Sequence, residues 1–455
     1  MVIHSPSEAL SHESQSQTQL PSSQIPLDRV AVIVLGGGEG KRLFPLTASR
    51  CKPAISFGGR YSLIDVPISH SLSSGLNKIF VIGQYLTYSL QKHLFQTYLF
   101  QGVAQNYIQL LAPEERKGEK VWYKGTADSI RQNIDYFSEI SADYFLILSG
   151  DQLYNINFQK MIQFAFEVDA GMLIAAQPVN EKEAKRMGVL KIEQGGSRLI
   201  DFYEKPQNEE TLHRFYTDAF TLNRLGYNEG AIKNYLGSMG IYFFKRQVLF
   251  DLLHEDQRAD FGHHLIETEM NKKDAHVFLY DGYWEDIGTI ESYYHANLAL
   301  TRHGDDQKKG LQCYDESSLI LTKRYNLPGA KVSNCKIDHA ILCEGAILEG
   351  AEISHSIIGV RAMVGKGTVI RDSIVMGNEY YSRSAGETRV EPHIGENCMI
   401  QKAIIDENVT IGNNVKLINS KNHTDFESSD GRIIVRDGII VVPRGTIIPD
   451  GYIVD

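Results

Sequence analysis

The chain is poor in cysteine and tryptophan, and it has no long apolar run. Its five cysteines, Cys51, Cys313, Cys335, Cys343 and Cys398, are odd in number, scattered, and include no CxxC pair. Neither a disulfide framework nor a zinc site is indicated, which suits a reducing compartment, so a cytoplasmic location is expected. No apolar stretch approaches the ~20 residues needed to cross a bilayer, so no membrane association is expected. Lysine and arginine are missing before Arg29, where Ser and Gln dominate. Residues 1–28 are therefore read as a disordered tail, without the basic start and apolar core of a secretory signal or the arginines of a transit peptide. An excess of basic charge is also missing. The formal charge is −10, from 46 basic and 56 acidic residues, which argues against nucleic acid as a partner. Small anionic substrates need only a local basic pocket.

What is present is the material of a globular protein, with 42% hydrophobic and 22% charged residues in 455. That length predicts two or three domains. The chain is organised around Val30–Leu35, an apolar and mostly β-branched run that suits a strand buried on both faces. Gly36, Gly37, Gly38 and Gly40 follow it. A loop without side chains lets backbone N–H groups approach phosphate, and Lys41, Arg42 and Lys52 supply positive charge beside it. The spacing fits neither a Walker loop, which would need glycine at Leu35 and Ser or Thr at Arg42, nor a dinucleotide fingerprint, which would need glycine at Lys41.

From Arg29 to about Leu300, short apolar strands alternate with amphipathic helices, the pattern of an α/β domain with a mostly parallel sheet. Val30–Leu35, Lys78–Ile82, Tyr144–Leu148, Met172–Ala176 and Gly240–Phe244 are predicted strands. Ala127–Ile140 is predicted as a helix with Ile130, Ile134 and Phe137 on one face, opened by Thr126 or Asp128 as N-cap. Ligands of open α/β sheets bind beyond the carboxyl ends of strands, where both the glycine loop and Ser149-Gly150-Asp151 fall. Residues 301–330 read as a linker. Over 331–455 the period becomes six, through Ile341, Ile347 and Ile353, Ile358, Val364 and Ile370, Ile394 and Ile400, Ile405, Ile411 and Leu417, then Val441, Ile447 and Ile453. That is the mark of a hexapeptide β-helix, with loops ejected at about 376–392 and 420–438.

The run Gly36-Gly37-Gly38-Glu39-Gly40-Lys41-Arg42-Leu43-Phe44-Pro45-Leu46-Thr47 with Lys52-Pro53-Ala54 resembles the signature of the sugar-phosphate nucleotidylyltransferases. Trp122-Tyr123-Lys124-Gly125-Thr126-Ala127-Asp128 and Asp281-Gly282-Tyr283-Trp284-Glu285-Asp286 narrow the resemblance to the ADP-glucose pyrophosphorylase branch, over roughly Arg29 to the C-terminus. The resemblance implies a Rossmann-like nucleotidyltransferase domain over 29–300 and a left-handed parallel β-helix over 331–455. It implies adenylyl transfer from ATP to glucose 1-phosphate for glycogen or starch synthesis, in a homotetramer or a heterotetramer with a second subunit type. It also assigns roles. Asp151, Arg42 and Lys52 would be catalytic, and Gly37, Gly38, Gly40, Gln84 and Gly125 would bind the nucleotide. Gly188, Glu204, Lys205 and Ser238 would bind the sugar phosphate, and Asp151 with Asp286 would hold Mg²⁺. Two carboxylates suffice for Mg²⁺, which takes the rest of its octahedron from phosphate and water.

Two features depart from the family pattern. The stretch Asp260–Glu267 lacks the family's closing proline, which puts the local turn in question. Arg50, Lys78 and Arg444 match the family's cationic effector positions, but Ser62 stands where relatives have Arg and Glu407 where they have Lys, so weak effector response is expected. Two alternatives remain: a pyrophosphorylase for another NTP or sugar phosphate, and a non-catalytic regulatory subunit of the same fold. Against the second, the plant-type large subunit commonly lacks the cations that this chain keeps as Arg42 and Lys52.

Overall fold

A computed structural model of the chain describes residues 26–99, 107–116, 119–120, 122–218, 221–222, 233–262, 266–272, 274–303, 310–385 and 388–454. Nearly all of the expected tail lies outside them. The strand Val30–Gly36 runs parallel to Lys78–Gly83 on one side and Tyr144–Ser149 on the other, with Tyr107–Leu111 beyond Lys78–Gly83. Val30, Val32 and Val34 enter one core cluster, while Ala31 and Ile33 enter the cluster on the opposite face. Burial on both faces explains why this strand reads as one apolar run instead of an alternation.

On the other side of Tyr144–Ser149 the sheet becomes antiparallel. Tyr235–Lys245 pairs antiparallel with Tyr144–Ser149, Met172–Val179 and Gly188–Ile192, and Leu199–Glu204 pairs with Gly188–Ile192. Among the described residues the sheet has nine strands. It thus has a parallel half, ending in the glycine loop, and a largely antiparallel half. The predicted strand Gly240–Phe244 is longer, Tyr235–Lys245, and bulges at Gly240, whose φ is +68°. There Ile174 faces Tyr242 while Ala176 faces Ser238. Such a bulge bends a strand and re-aims its side chains.

The single helix predicted over Ala127–Ile140 is two, Thr126–Arg131 and Ile134–Glu139. Asn133 makes the break, donating from Nδ2 to the Ser129 carbonyl at 2.8 Å and to the Tyr123 hydroxyl at 2.9 Å. Neither Thr126 nor Asp128 is the N-cap of Thr126–Arg131, a position that falls on Gly125, which has no side chain to cap with. The Ala259 carbonyl accepts from the amides of Ala127 and Asp128, and Asp260 accepts from that of Thr126, so a distant segment supplies what local sequence was expected to supply. Beyond Asp260-Phe261-Gly262, residues 263–265 are not described, and Ile266–Asn271 is a helix that includes the position where relatives have proline.

The segment after residue 310 is strapped to the first domain through the buried carboxylate of Asp65. That carboxylate accepts from Thr322 Oγ1 at 2.7 Å, Tyr98 OH at 2.8 Å and the Ser62 amide at 2.8 Å, and pairs with His93 Nε2 at 2.6 Å. Beyond it the chain winds into a β-helix of parallel coils. Ile358, Val375, Ile405 and Val442 stack inside one wall, and Leu348, Val364, Ile394, Ile411 and Ile448 inside another. The period of six is present, but its phase slips by one in the first and last coils. Ile347, Ile447 and Ile453 are 39%, 61% and 54% exposed, and their neighbours Leu348, Ile448 and Val454 point inward.

At Ile341 and Val441 the slip has a physical cause, because their wall is buried on both sides, whereas nothing in the structure explains the exposed Ile347, Ile447 and Ile453. Ile357, Ile374, Ile404 and Val441 form an outward row in register, and that row joins the core of the first domain. Apolar residues therefore occur in adjacent pairs, and periodicity alone cannot say which member faces in. The two domains meet closely here. Gly59, with φ +74°, lies so near the β-helix that a Cβ would fall 2.9 Å from Gly359 Cα, and its carbonyl accepts from the Val360 amide at 3.1 Å.

Within this interface Arg50, 2% exposed, pairs with Asp406 at 2.5 Å and with Glu407 at 3.1 Å. Burial opposes its charge, but the two carboxylates outweigh burial and hold the guanidinium charged above its ordinary range. Removing one partner of such a pair strands the other. Asp406→Ala should lower stability by about 3 kcal/mol, read as a fall in the denaturant midpoint of the full chain. A change within ~0.5 kcal/mol, the range of ordinary surface substitutions, would show that the pair does not hold the domains together.

Candidate active site

The carboxyl ends of the parallel strands and the open ends of the antiparallel ones enclose a cleft of about 1550 Å³. On the parallel side, Gly40 has φ +68°, where a Cβ would collide with Thr47 Cγ2 at 2.9 Å, and its carbonyl accepts from Thr47 Oγ1 at 3.1 Å. Gly40 thus shapes the turn. Gly37 and Gly38 differ, since a Cβ on Gly38 would meet nothing within 4 Å and one on Gly37 only Gln84 Cβ at 3.9 Å. No neighbour requires glycine there, and what the missing side chains leave bare is backbone facing the cleft, the arrangement that suits an incoming phosphate. Lys41 turns away to pair with Glu39 at 2.9 Å. Arg42 lines the cleft and forms no hydrogen bond or ion pair among the described residues.

The short strands Gln152–Tyr154 and Trp284–Asp286 pair antiparallel, with Asp286 opposite Gln152. This pairing carries Asp286 to Asp151 across more than a hundred residues of chain, and the Ile287 amide donates to the Asp151 carbonyl at 3.3 Å. Asp151 is held by Ser149 Oγ at 2.5 Å and by Lys52 Nζ, which reaches it from behind the glycine loop. Burial and then the charge of Asp151 push the Asp286 carboxyl above its usual range, against the pull of Lys52 and Arg42. Burial likewise pushes Glu285 up to about 7, with Asp286 adding to the effect. A carboxylate whose proton affinity is raised by the charge of another is relieved by a cation between them, so Asp151 and Asp286 fit Mg²⁺. Among the described residues no cluster of three or more His, Cys, Asp or Glu could hold a metal, so phosphate and water would complete the shell.

The antiparallel half supplies a different floor. The Glu204 carboxylate lies over Gly188, where a Cβ would come within 2.8 Å of its Oε2 and 2.6 Å of Phe202. Lys205 takes the left-handed conformation, φ +50°, unusual for a side chain of this length, and its Nζ lies 3.0 Å from Glu204 Oε1. Strain of that kind persists only where the surroundings impose it. Here the Lys205 amide donates to the Met187 carbonyl at 3.1 Å, and Gln207 Nε2 donates to the Lys205 carbonyl at 2.9 Å. Ser238 Oγ accepts from the Gly240 amide at 3.2 Å, within the bulge.

Of the residues expected at the substrates and metal, all but Gly40 and Lys52 line this one cleft. Gly40 forms its turn, and Lys52 stands behind it. Gln84 spends both ends of its amide on the Tyr123 backbone, accepting at 2.6 Å and donating at 3.3 Å, and so pins the 122–125 loop. Beside it Tyr85 and Trp122 stack at 5.6 Å with Trp122 57% exposed, an aromatic pair that spacing gave no reason to join. Gly125 permits close approach, since a Cβ would lie 2.6 Å from the Ala259 carbonyl oxygen. The three expected effector cations do not converge. Arg50 and Arg444 meet at Glu407, at 3.1 and 3.4 Å, in the domain interface. Lys78 lies at the amino end of its strand, away from the cleft, donating to the carbonyls of Asp28 and Ser141 at 2.5 and 2.7 Å.

Comparison with known families gives two matches. Residues 31–303 match the nucleotidyl transferase family, and residues 324–453 match the GLGC left-handed parallel beta-helix domain. With a bare glycine loop, free arginine and facing carboxylates in one cleft, and a match over more than half its length, the chain belongs to the nucleotidyl transferase family.

Proposed function

We propose that the protein transfers the adenylyl group of ATP to α-D-glucose 1-phosphate, releasing pyrophosphate and forming ADP-glucose. The observation that carries this reading is the convergence of Asp151, Asp286, Arg42 and Lys205 on a cleft whose nucleotide side is bare glycine backbone. A phosphate oxygen of the sugar phosphate attacks the α-phosphorus, a P–O bond forms there, and the bond to the β-phosphate oxygen breaks in line. No covalent nucleophile is needed, so positioning and charge neutralisation carry the rate. Lys205 and Glu204 orient the sugar phosphate, the glycine loop holds the nucleotide, and Arg42 takes charge developing on the pyrophosphate. Mg²⁺ held by Asp151 and Asp286 would supply further neutralisation between the two substrates.

The direct test is pyrophosphate release from glucose 1-phosphate with each of the four NTPs. Release with ATP far above the others supports the reading. Preference for another NTP replaces the adenylyl donor, and no release with any of them points to a non-catalytic subunit. Asp151→Asn keeps volume but loses the metal-binding charge, and should cut kcat about a hundredfold or more with the melting temperature little changed. Near-normal turnover would remove Asp151 from the metal site. Lys205→Ala should raise KM for glucose 1-phosphate at least tenfold while leaving that for ATP within about twofold. Equal shifts on both substrates would count against its assignment.

The same reading extends to regulation. Glu407 sits between Arg50 and Arg444, and Glu379 pairs with Lys92 at 2.9 Å and Arg444 at 2.7 Å, so carboxylates of the chain itself occupy these cations. Activity should respond weakly to 3-phosphoglycerate, fructose 1,6-bisphosphate and phosphate, and Glu407→Gln, which frees positive charge, should strengthen the response. Strong activation of the unaltered protein, unchanged by the substitution, would overturn this.

A further inference from the structure

The cleft contains a cation that no motif of the sequence marks. Arg186 lines it, is exposed to its water, and forms no side-chain hydrogen bond or ion pair among the described residues. Its backbone is nonetheless held firmly. It closes the turn after the short helix Glu181–Ala184, which Asn180 and Glu183 cap reciprocally, and its amide donates to the Glu183 carbonyl at 2.9 Å. The next residue, Met187, accepts the Lys205 amide at 3.1 Å, and Gly188 stands opposite Glu204 in the strand pair. Gln207 closes the clasp, donating from one Nε2 to the carbonyls of Lys185 at 3.0 Å and Lys205 at 2.9 Å. Two cation-bearing segments are thereby fastened side by side at the open end of the antiparallel half.

We propose that Arg186 is a second anchor for the phosphate of the glycosyl phosphate, acting beside Lys205. Lys205 already has Glu204 as a neighbour at 3.0 Å, which offsets part of its charge, so one lysine leaves a phosphate dianion under-neutralised. Arg186 has no such neighbour, and a guanidinium presents a planar fork that matches two phosphate oxygens. The anion it serves thus lies beside Lys205 in the antiparallel half of the cleft, where the attacking sugar phosphate must stand. The nucleotide triphosphate enters from the other half, over the glycine loop and Arg42. This inference rests on the adenylyl-transfer reading for its substrate, and its test separates the two.

The experiment compares unaltered protein with Arg186→Gln, Arg186→Lys and the double variant Arg186→Gln with Lys205→Ala. Kinetics on both substrates are measured beside calorimetric binding of glucose 1-phosphate and of inorganic phosphate. Arg186→Gln should raise KM for glucose 1-phosphate roughly tenfold, with KM for ATP within about twofold, and Arg186→Lys should recover part of the loss. The double variant should lose less than the product of the single losses, because the two cations share one ligand. A role confined to folding would move both KM values together and lower the melting temperature. That result, or an unchanged KM for glucose 1-phosphate, or a shift in the ATP value alone, overturns the proposal. If the unaltered protein turns over no substrate, the functional reading fails while calorimetry still decides the inference. Weaker glucose 1-phosphate binding by Arg186→Gln upholds it, and equal binding or none to either protein overturns it.

Discussion

A guanidinium buried between two domains constrains everything around it. Arg50 cannot be desolvated without counter-charge, and the counter-charge comes from Asp406 and Glu407, more than three hundred and fifty residues later in the chain. Two positions after Arg50, Lys52 reaches Asp151 in the cleft, and a few further on the Ser56 carbonyl accepts from Tyr293 OH at 2.5 Å. The segment that supplies a cleft lysine is thus gripped from behind by the β-helix and from the side by the last helix of the first domain. Anything that alters how the β-helix seats can reach the cleft through this short piece of backbone.

The cleft divides its labour along the sheet. Where strands run parallel, their carboxyl ends lie together and the loops after them offer bare backbone and the cations Arg42 and Lys52. Where strands run antiparallel, the end of one lies beside the start of the next, and fixed side chains such as Glu204 and Lys205 can be fastened by strand pairing. A ligand rich in phosphate suits the first half, and one whose stereochemistry must be read suits the second. The facing carboxylates sit at the seam, brought together by a strand pair of only three residues on each side.

Much of this was legible in the sequence, and the failures share a cause. Val30–Leu35 announced itself because burial on both faces removes every polar residue, and the glycines after it because backbone exposure needs them. The helix over 127–140 was misread because its break is made by Asn133 reaching a tyrosine outside the helix, and its cap by residues 259 and 260. At Ile341 and Val441 the β-helix phase slipped because the first domain covers the outer face there, which makes inward and outward positions equally apolar. Arg186 gave no signal, since a lone arginine after a short helix reads as a solvated turn. Only the pairing of Gly188–Ile192 with Leu199–Glu204 sets it beside Lys205. In each case the missing information was a partner distant in sequence.

The docked wall of the β-helix also acts as a ruler. Its outward row, Ile357, Ile374, Ile404 and Val441, advances by one coil per residue, and adjacent coils lie about 4.8 Å apart. Gly59 meets the row near Ile357, whereas Arg50 meets it two coils on, beside residue 404. The distance between those two seats is set on one side by the turn-rich stretch of eight residues between Arg50 and Gly59 and on the other by a whole number of coils. Loops ejected from the solenoid can therefore change length freely, but a coil gained or lost between these seats would move Asp406 by a full strand spacing and leave Arg50 facing the wrong rung. Evolution of this chain can vary the ornament of the solenoid, while the count of rungs beneath the docking site is held by the first domain.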